Sequence, residues 1–301
     1  MGLFRCNLFL TGPGYTGPEV PLMIAAFRIA VGFLVAAMGL MAQFPGGRGP
    51  GSESIRQAVR LDLEGKGAEA RALLEQAIAS AATPSAKANA QRAMAMSWAF
   101  EGNCAKTGEY EQMVIDYWMT READEPHNAF YQEGEMADEA ARVCLDYGDL
   151  EAAAAWYRKG RTFGLKEPGI SDDRKALWKF RWEHAQARLA ARRGNRAKAD
   201  EDIAAAKTAL DQMTGLRRQQ EPFLPYLTGY VAFYFGEYDK ALADLEKANQ
   251  NDPFIQCLMG QTYEKLGNRE KAMECYRRAS TAGAHNPPAA FARPFARKKL
   301  S

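Results

Sequence analysis

Histidine is nearly missing from this 301-residue chain: there are three, His127, His184 and His285, far apart and outside any HExxH arrangement. No CxxC pair or GxxxxGK loop occurs either. Catalysis needs a nucleophile beside a base, paired carboxylates or a metal cage, and none stands at a diagnostic spacing. The chain therefore reads as non-enzymatic, with no metal and no cofactor. It also lacks an excess of either charge: 39 basic against 37 acidic residues give a formal +2, so no nucleic-acid partner is expected. Valine and isoleucine are scarce outside the N-terminus, which excludes an extensive sheet.

What is present is 47% hydrophobic and 25% charged, enough to bury a sizeable core, with alanine abundant in the middle. The N-terminal region differs. Ile29 to Ala42, IAVGFLVAAMGLMA, is an uncharged run of about 14 residues preceded by Arg28. That length suits a signal-peptide core and falls short of the roughly 20 residues needed to span a bilayer. Residues 1–43 thus read as a signal peptide or, failing cleavage after Ala42, an N-terminal anchor, with Met23 an alternative start. Residues 44–53 read as a flexible linker. The expected location is periplasmic or extracellular, or else anchored to the inner membrane by the N-terminal segment, which would be the only membrane contact.

Internal periodicity supplies the fold. Six segments align on a glycine, starting at Gly65, Gly108, Gly148, Gly194, Gly236 and Gly267. Five residues on stand Ala70, Met113, Ala153, Ala199, Ala241 and Ala272, and four further stand Leu74, Tyr117, Tyr157, Ile203, Leu245 and Tyr276. Three beyond these come Ala77, Thr120, Gly160, Ala206, Ala248 and Ala279. A glycine that ends one helix in a left-handed cap, followed by small, large and small residues on one helical face, describes a helical hairpin. The small residues let two backbones approach and the large one fills the gap between them.

These residues resemble the tetratricopeptide repeat family. The last two copies carry the match best: Gly229, Gly236, Tyr238, Ala241, Leu245, Ala248 and Pro253, then Gly260, Tyr263, Gly267, Ala272, Tyr276 and Ala279. From about residue 87 onward the chain is also similar to exported bacterial proteins of this family without a settled function. The resemblance implies an all-α, right-handed superhelical solenoid of antiparallel helix pairs, with about six repeats over residues 54–286. Glycine spacings of 31 to 46 residues, against about 34 for the standard unit, predict an irregular superhelix. Pro253 is read as a stop after the fifth copy, leading straight into the next helix. Residues 287–301, carrying Arg293, Arg297, Lys298 and Lys299, read as a basic capping segment with Phe291 and Phe295 turned inward.

The resemblance further implies that the first helix of each hairpin lines a concave groove. The matching positions are Asp138, Arg142, Arg181, His184, Arg188, Arg192, Tyr226, Tyr230, Phe233 and Tyr234. Arginine can clamp a carboxylate and tyrosine offers a flat face with a polar tip, so an acidic or C-terminal peptide is the expected ligand. Against this stands the reading that Tyr230 and Phe233 are core and the arginines a solvated face. The four cysteines beyond the leader either fill helix interfaces as thiols or include a Cys104–Cys144 disulfide, both residues being assigned to first helices of consecutive repeats. The expected function is a non-catalytic scaffold for protein partners in the bacterial cell envelope. The alternative is a structural homo-oligomer.

Overall fold

The computed structural model describes residues 50–301. The signal segment expected at 1–43 lies outside the described residues, and α1 begins at Pro50, inside the stretch expected to be linker. The elements run α1 (Pro50–Glu64), α2 (Gly67–Ala79), α3 (Pro84–Phe100), α4 (Cys104–Met119), α5 (Pro126–Tyr147), α6 (Leu150–Gly164), α7 (Asp172–Arg192) and α8 (Arg196–Asp211). A short α9 (Arg217–Gln220) precedes α10 (Phe223–Tyr234), α11 (Tyr238–Leu245), α12 (Pro253–Lys265), α13 (Arg269–Ser280) and α14 (Pro287–Leu300). Among the described residues there is no strand, and no helix is long and apolar enough to cross a membrane. Six hairpins, α1–α2, α3–α4, α5–α6, α7–α8, α10–α11 and α12–α13, stack in chain order as an all-α repeat solenoid.

A two-residue code builds most of the turns. Glycine with positive φ closes the first helix at Gly65, Gly102, Gly148, Gly194, Gly236 and Gly267. In four of these the next side chain caps the second helix. Asn103 accepts from the Lys106 N–H at 3.0 Å, Asp149 from Ala152 at 3.0 Å, Asn195 from Lys198 at 3.1 Å and Asn268 from Lys271 at 3.1 Å. Stopping one helix and starting the next with so little chain leaves the two antiparallel and touching.

The contact between paired helices uses small residues on both sides. Ala70, Ala153, Ala199, Ala241 and Ala272 have no exposed surface, nor do the first-helix residues Ala58, Ala95, Ala141 and Ala187. At the two remaining first-helix positions the residue is glycine. A methyl group on Gly229 would lie 2.7 Å from Leu245 Cγ, and one on Gly260 would lie 2.6 Å from the Tyr276 ring. The large residues Leu74, Leu245 and Tyr276 are fully buried over these contacts.

The second copy departs from the expected register. The helix break is Gly102, and Gly108 lies inside α4, packed against the Trp156 indole. Thr107, Glu111 and Val114 therefore take the buried positions that Met113, Tyr117 and Thr120 were expected to fill. An acid stands where the other copies hold a large apolar or aromatic residue. Burial, with Glu139 adding, holds the Glu111 carboxyl well above its ordinary range. Pro253 leads into the next helix as expected, but it is not what ends α11, which stops at Leu245: it opens α12 behind the Asp252 cap, since proline is favoured in the first helical turn.

The long junctions are ordered by single carboxylates. Asp173 accepts from the backbone N–H groups of Thr214, Gly215 and Leu216 at 2.7, 2.7 and 3.1 Å, pinning the segment before α9 to the start of α7. Buried Glu167 takes Arg174 at 2.6 Å and His127 at 3.1 Å, fixing the α6–α7 junction to α5. Because Ala241 is fully buried against the Gly229 turn of α10, Ala241→Leu should overpack the hairpin and cost roughly 1–3 kcal/mol. A denaturation curve unchanged from wild type would contradict this packing.

Candidate functional site

The first helices of the hairpins carry the candidate residues, and α14 covers part of the surface they form. α14 touches α12 and α13 at its own end of the array and also α3 and α5 of the second and third hairpins. One helix can reach both ends only if the array curves around it, so α14 lies on the inner face. Phe291 packs on Tyr147 and Phe254, with ring centroids 5.4 and 5.3 Å apart. The C-terminal segment thus does more than cap the last repeat.

Beneath and beside α14, most of the predicted residues converge. Arg142 donates from Nε to Asp146 at 2.7 Å, and its guanidinium lies 4.3 Å from the Phe254 ring centre. Arg188 is buried and donates to the Tyr157 hydroxyl at 2.8 Å and, through Nε, to the His184 carbonyl at 3.4 Å. Its Nη1 has no hydrogen-bond partner among the described residues. His184 packs against Tyr226 at 5.4 Å; burial, then the neighbouring Arg188 and Arg142 charges, hold its pKa well below normal, so it is neutral at pH 7. Arg192 donates to the Leu145 carbonyl at 2.6 Å near the C-terminal end of α5, where a cation suits the helix dipole, and lies 5.1 Å from the Tyr234 ring.

Tyr226 and Tyr230 are buried, Phe233 is half-buried and Tyr234 is exposed. The cluster is therefore an interior aromatic and guanidinium layer with a rim at Tyr234 and Tyr147, rather than an open trough. The arginines are not a solvated face. Asp138 and Arg181 border this centre, with Asp138 close enough to interact with the Arg188 charge. Arg181 pairs with Glu135 and reaches the Tyr131 hydroxyl at 3.3 Å, while Asp138 packs against Gly160. Burial raises the Asp138 carboxyl to about 8, opposed by Arg181 and helped by Glu135.

Sequence reasoning missed Asp146, Tyr157 and Phe254, which complete the layer. Asp146 follows Arg142 by four residues, a spacing that places an acid and a base on one helical face and could have revealed it. Tyr157 belongs to a second helix and Phe254 to the start of α12, so only packing brings them in.

Cys104 and Cys144 are joined in a disulfide with Cα atoms 4.8 Å apart. Cys144 lies near the end of α5, a first helix as assigned above, but Cys104 opens α4, the second helix of its hairpin. The shift follows from the break at Gly102. Cys257 and Cys275 are free and buried.

A family model described as tetratricopeptide repeat matches residues 255–282, the α12–α13 hairpin. Residues 255–282 thus carry a tetratricopeptide repeat, the family that the array resembles. It is 37% identical over 59 residues to a TPR repeat-containing protein of Methanocaldococcus jannaschii, which covers 19% of each chain. The chain thus spans about a fifth of the length of the curated relative it matches. A crystal structure of a tetratricopeptide repeat protein from Parabacteroides merdae aligns over 82% of this chain and 98% of its own, at 12% identity and a TM-score of 0.37. Tetratricopeptide repeats generally mediate protein–protein interactions, and proteins built from them are generally non-catalytic scaffolds.

Two measurements check this geometry. Of the four cysteines beyond residue 43, two should titrate in denatured, unreduced protein and four after reduction. Cys104→Ser should lower stability by about 2–4 kcal/mol, the range for closing a loop of this length; four thiols without reduction would exclude the bridge. For Asp138, the folded chain holds a proton between about pH 4 and 8 that the unfolded chain releases, so this group's contribution to stability is lost as pH rises through that window. Denaturation of Asp138→Asn across the same range should show a smaller loss than wild type. Parallel curves would refute the raised pKa.

Proposed function

We propose that this repeat protein is a non-catalytic scaffold of the bacterial cell envelope, taking a segment of a partner protein against its inner face. The observation that carries this reading is the inner layer around Arg142, Arg188, Arg192, Tyr226 and Tyr230. It combines guanidiniums, tyrosine rings and a single ion-paired acid, Asp146, on the face where a helix, α14, already rests. Aromatic and arginine side chains in partly dehydrated settings are the types that dominate protein-interface energetics. An acidic or C-terminal segment suits the arginines, and its point of entry is the rim, where Tyr234 is 39% exposed beside Arg192.

The envelope location is supported by the N-terminal apolar run and by the Cys104–Cys144 disulfide, a bond favoured in oxidising compartments. Cell fractionation with N-terminal sequencing of the recovered protein tests it. A product found only in the cytoplasm, with its first residues intact, overturns it.

The partner reading is tested by crosslinking and pull-down from native envelopes with full-length protein, comparing wild type with Tyr234→Ala combined with Arg192→Gln. These rim residues are chosen because substitutions at the buried Tyr230 or Arg188 would disturb the fold. Recovery of specific partners should fall roughly tenfold, the effect of losing one interface hot spot. Equal recovery from a variant with an unchanged melting curve would remove the inner face from the interaction.

A further inference from the structure

We propose that α14 is an internal ligand: a displaceable helix held on the inner face, for which a partner helix of the same chemistry competes. That chemistry is a stripe of alanine-sized residues with two aromatic plugs and an internal proline, which a segment carrying acidic residues on its other faces can also present. The inference rests on the reading of the inner face as the binding surface and adds the form of the ligand and its regulation.

Three features set α14 apart from the repeat helices. It has no hairpin partner of its own: all six hairpins are complete before Pro287. Its entry into the core is made by small residues, with Ala289, Ala290, Ala292 and Ala296 fully buried, while the larger Phe291 and Phe295 are only partly buried. Its helical start is also locally encoded, since the Asn286 side chain accepts from the Ala289 N–H at 3.1 Å and prolines occupy the first two helical positions. The segment before it, residues 282–285, is non-helical, and a side chain added at Gly283 would meet nothing within 4 Å.

The polar attachments resemble those of a bound peptide. Pro294 has no N–H to offer the Ala290 carbonyl four residues earlier, which leaves that acceptor unused within the helix. The Tyr147 hydroxyl donates to it at 3.2 Å, so the inner face reads an acceptor that the proline leaves open. Arg293 donates to the Leu63 carbonyl at 2.7 Å, in the last turn of α1, where helix carbonyls lack internal partners. His285 meets Asp62 at 2.9 Å and stacks on Phe100 at 5.4 Å. The His285 and Arg293 contacts link residues 223 and 230 positions apart in sequence, clasping the end of the array to its beginning. Each group they touch has an alternative when α14 leaves: Asp62 keeps its bond from Ser97 at 2.8 Å, and the Leu63 carbonyl can turn to water.

The test uses full-length, disulfide-bonded protein with a protease site inserted at Gly283, so that cutting leaves α14 bound without a covalent tether. The probe is a fluorescent synthetic peptide of residues 284–301. After cleavage the probe should bind saturably by anisotropy and be chased by unlabelled peptide. Uncut protein should bind it at least about tenfold more weakly, because the tethered helix competes at roughly millimolar effective concentration. A Pro294→Ala probe should bind more weakly than the native one. Uncut His285→Ala, Arg293→Ala protein should bind the native probe more tightly than uncut wild type does.

Loss of the helical circular-dichroism signal on cleavage would make α14 part of the core and overturn the proposal. So would a folded, cut protein that neither releases its own helix nor takes up the probe, or a double variant in which residues 287–300 exchange amide hydrogens as slowly as α12. None of these readouts needs a natural partner. Failure here with a partner pull-down that still depends on Tyr234 and Arg192 removes only the internal ligand, whereas probe exchange without that dependence removes the partner reading.

Discussion

Close approach of two helix backbones inside each hairpin is the contact from which the rest of the molecule follows. Gly229 under Leu245 and Ala241, and Gly260 under Tyr276, leave no room for a larger side chain, and fully buried alanines do the same work in the other hairpins. Because the small residues bring the axes together, Leu245 and Tyr276 are driven over the joint and become fully buried. Hairpins joined this way have one remaining way to cover their apolar sides, which is to stack on each other.

Stacking places the first helices side by side, and their inner face is unusual for a buried region in its polarity. Arginines from α5 and α7 face tyrosines from α6 and α10, with Asp146 the carboxylate paired directly with Arg142. Taking guanidiniums out of water is costly unless they are hydrogen-bonded and paired. Here the cost is offset by backbone carbonyls at 2.6 and 3.4 Å, a tyrosine hydroxyl and aromatic faces. A neutral His184 keeps from adding another charge. Such a layer is kept dry by what lies over it, and α14 supplies part of that cover.

The hairpins were readable because their signals are local. Gly148 followed by Asp149, Gly194 by Asn195 and Gly267 by Asn268 each state a helix end and a helix start within two residues. The second hairpin misled because two glycines, Gly102 and Gly108, fall close together, and the true register puts a charged residue type, Glu111, at a core position. Hydrophobic patterning cannot anticipate a carboxyl at a core position, where burial raises its pKa. The same shift moved Cys104 from a first helix to the start of a second one, so its proximity to Cys144 was expected on a register that the structure does not have. For the inner face, the first-helix residues were identifiable by position and Tyr230 could be read as core, but the burial of the arginines was not foreseen.

The sequence by itself determined the helical hairpin, its small-residue contacts and its repetition, since each depends on residues only a few positions apart and on the periodicity of one helix. Only the tertiary structure decided that the array curves far enough for α14 to meet α3 and α5, that Asp62 meets His285, and that the expected groove is an interior layer. Those outcomes are sums of small rotations at every junction, set by contacts such as Asp173 with Thr214–Leu216 and Glu167 with His127, across spans for which a single sequence carries no periodic signal.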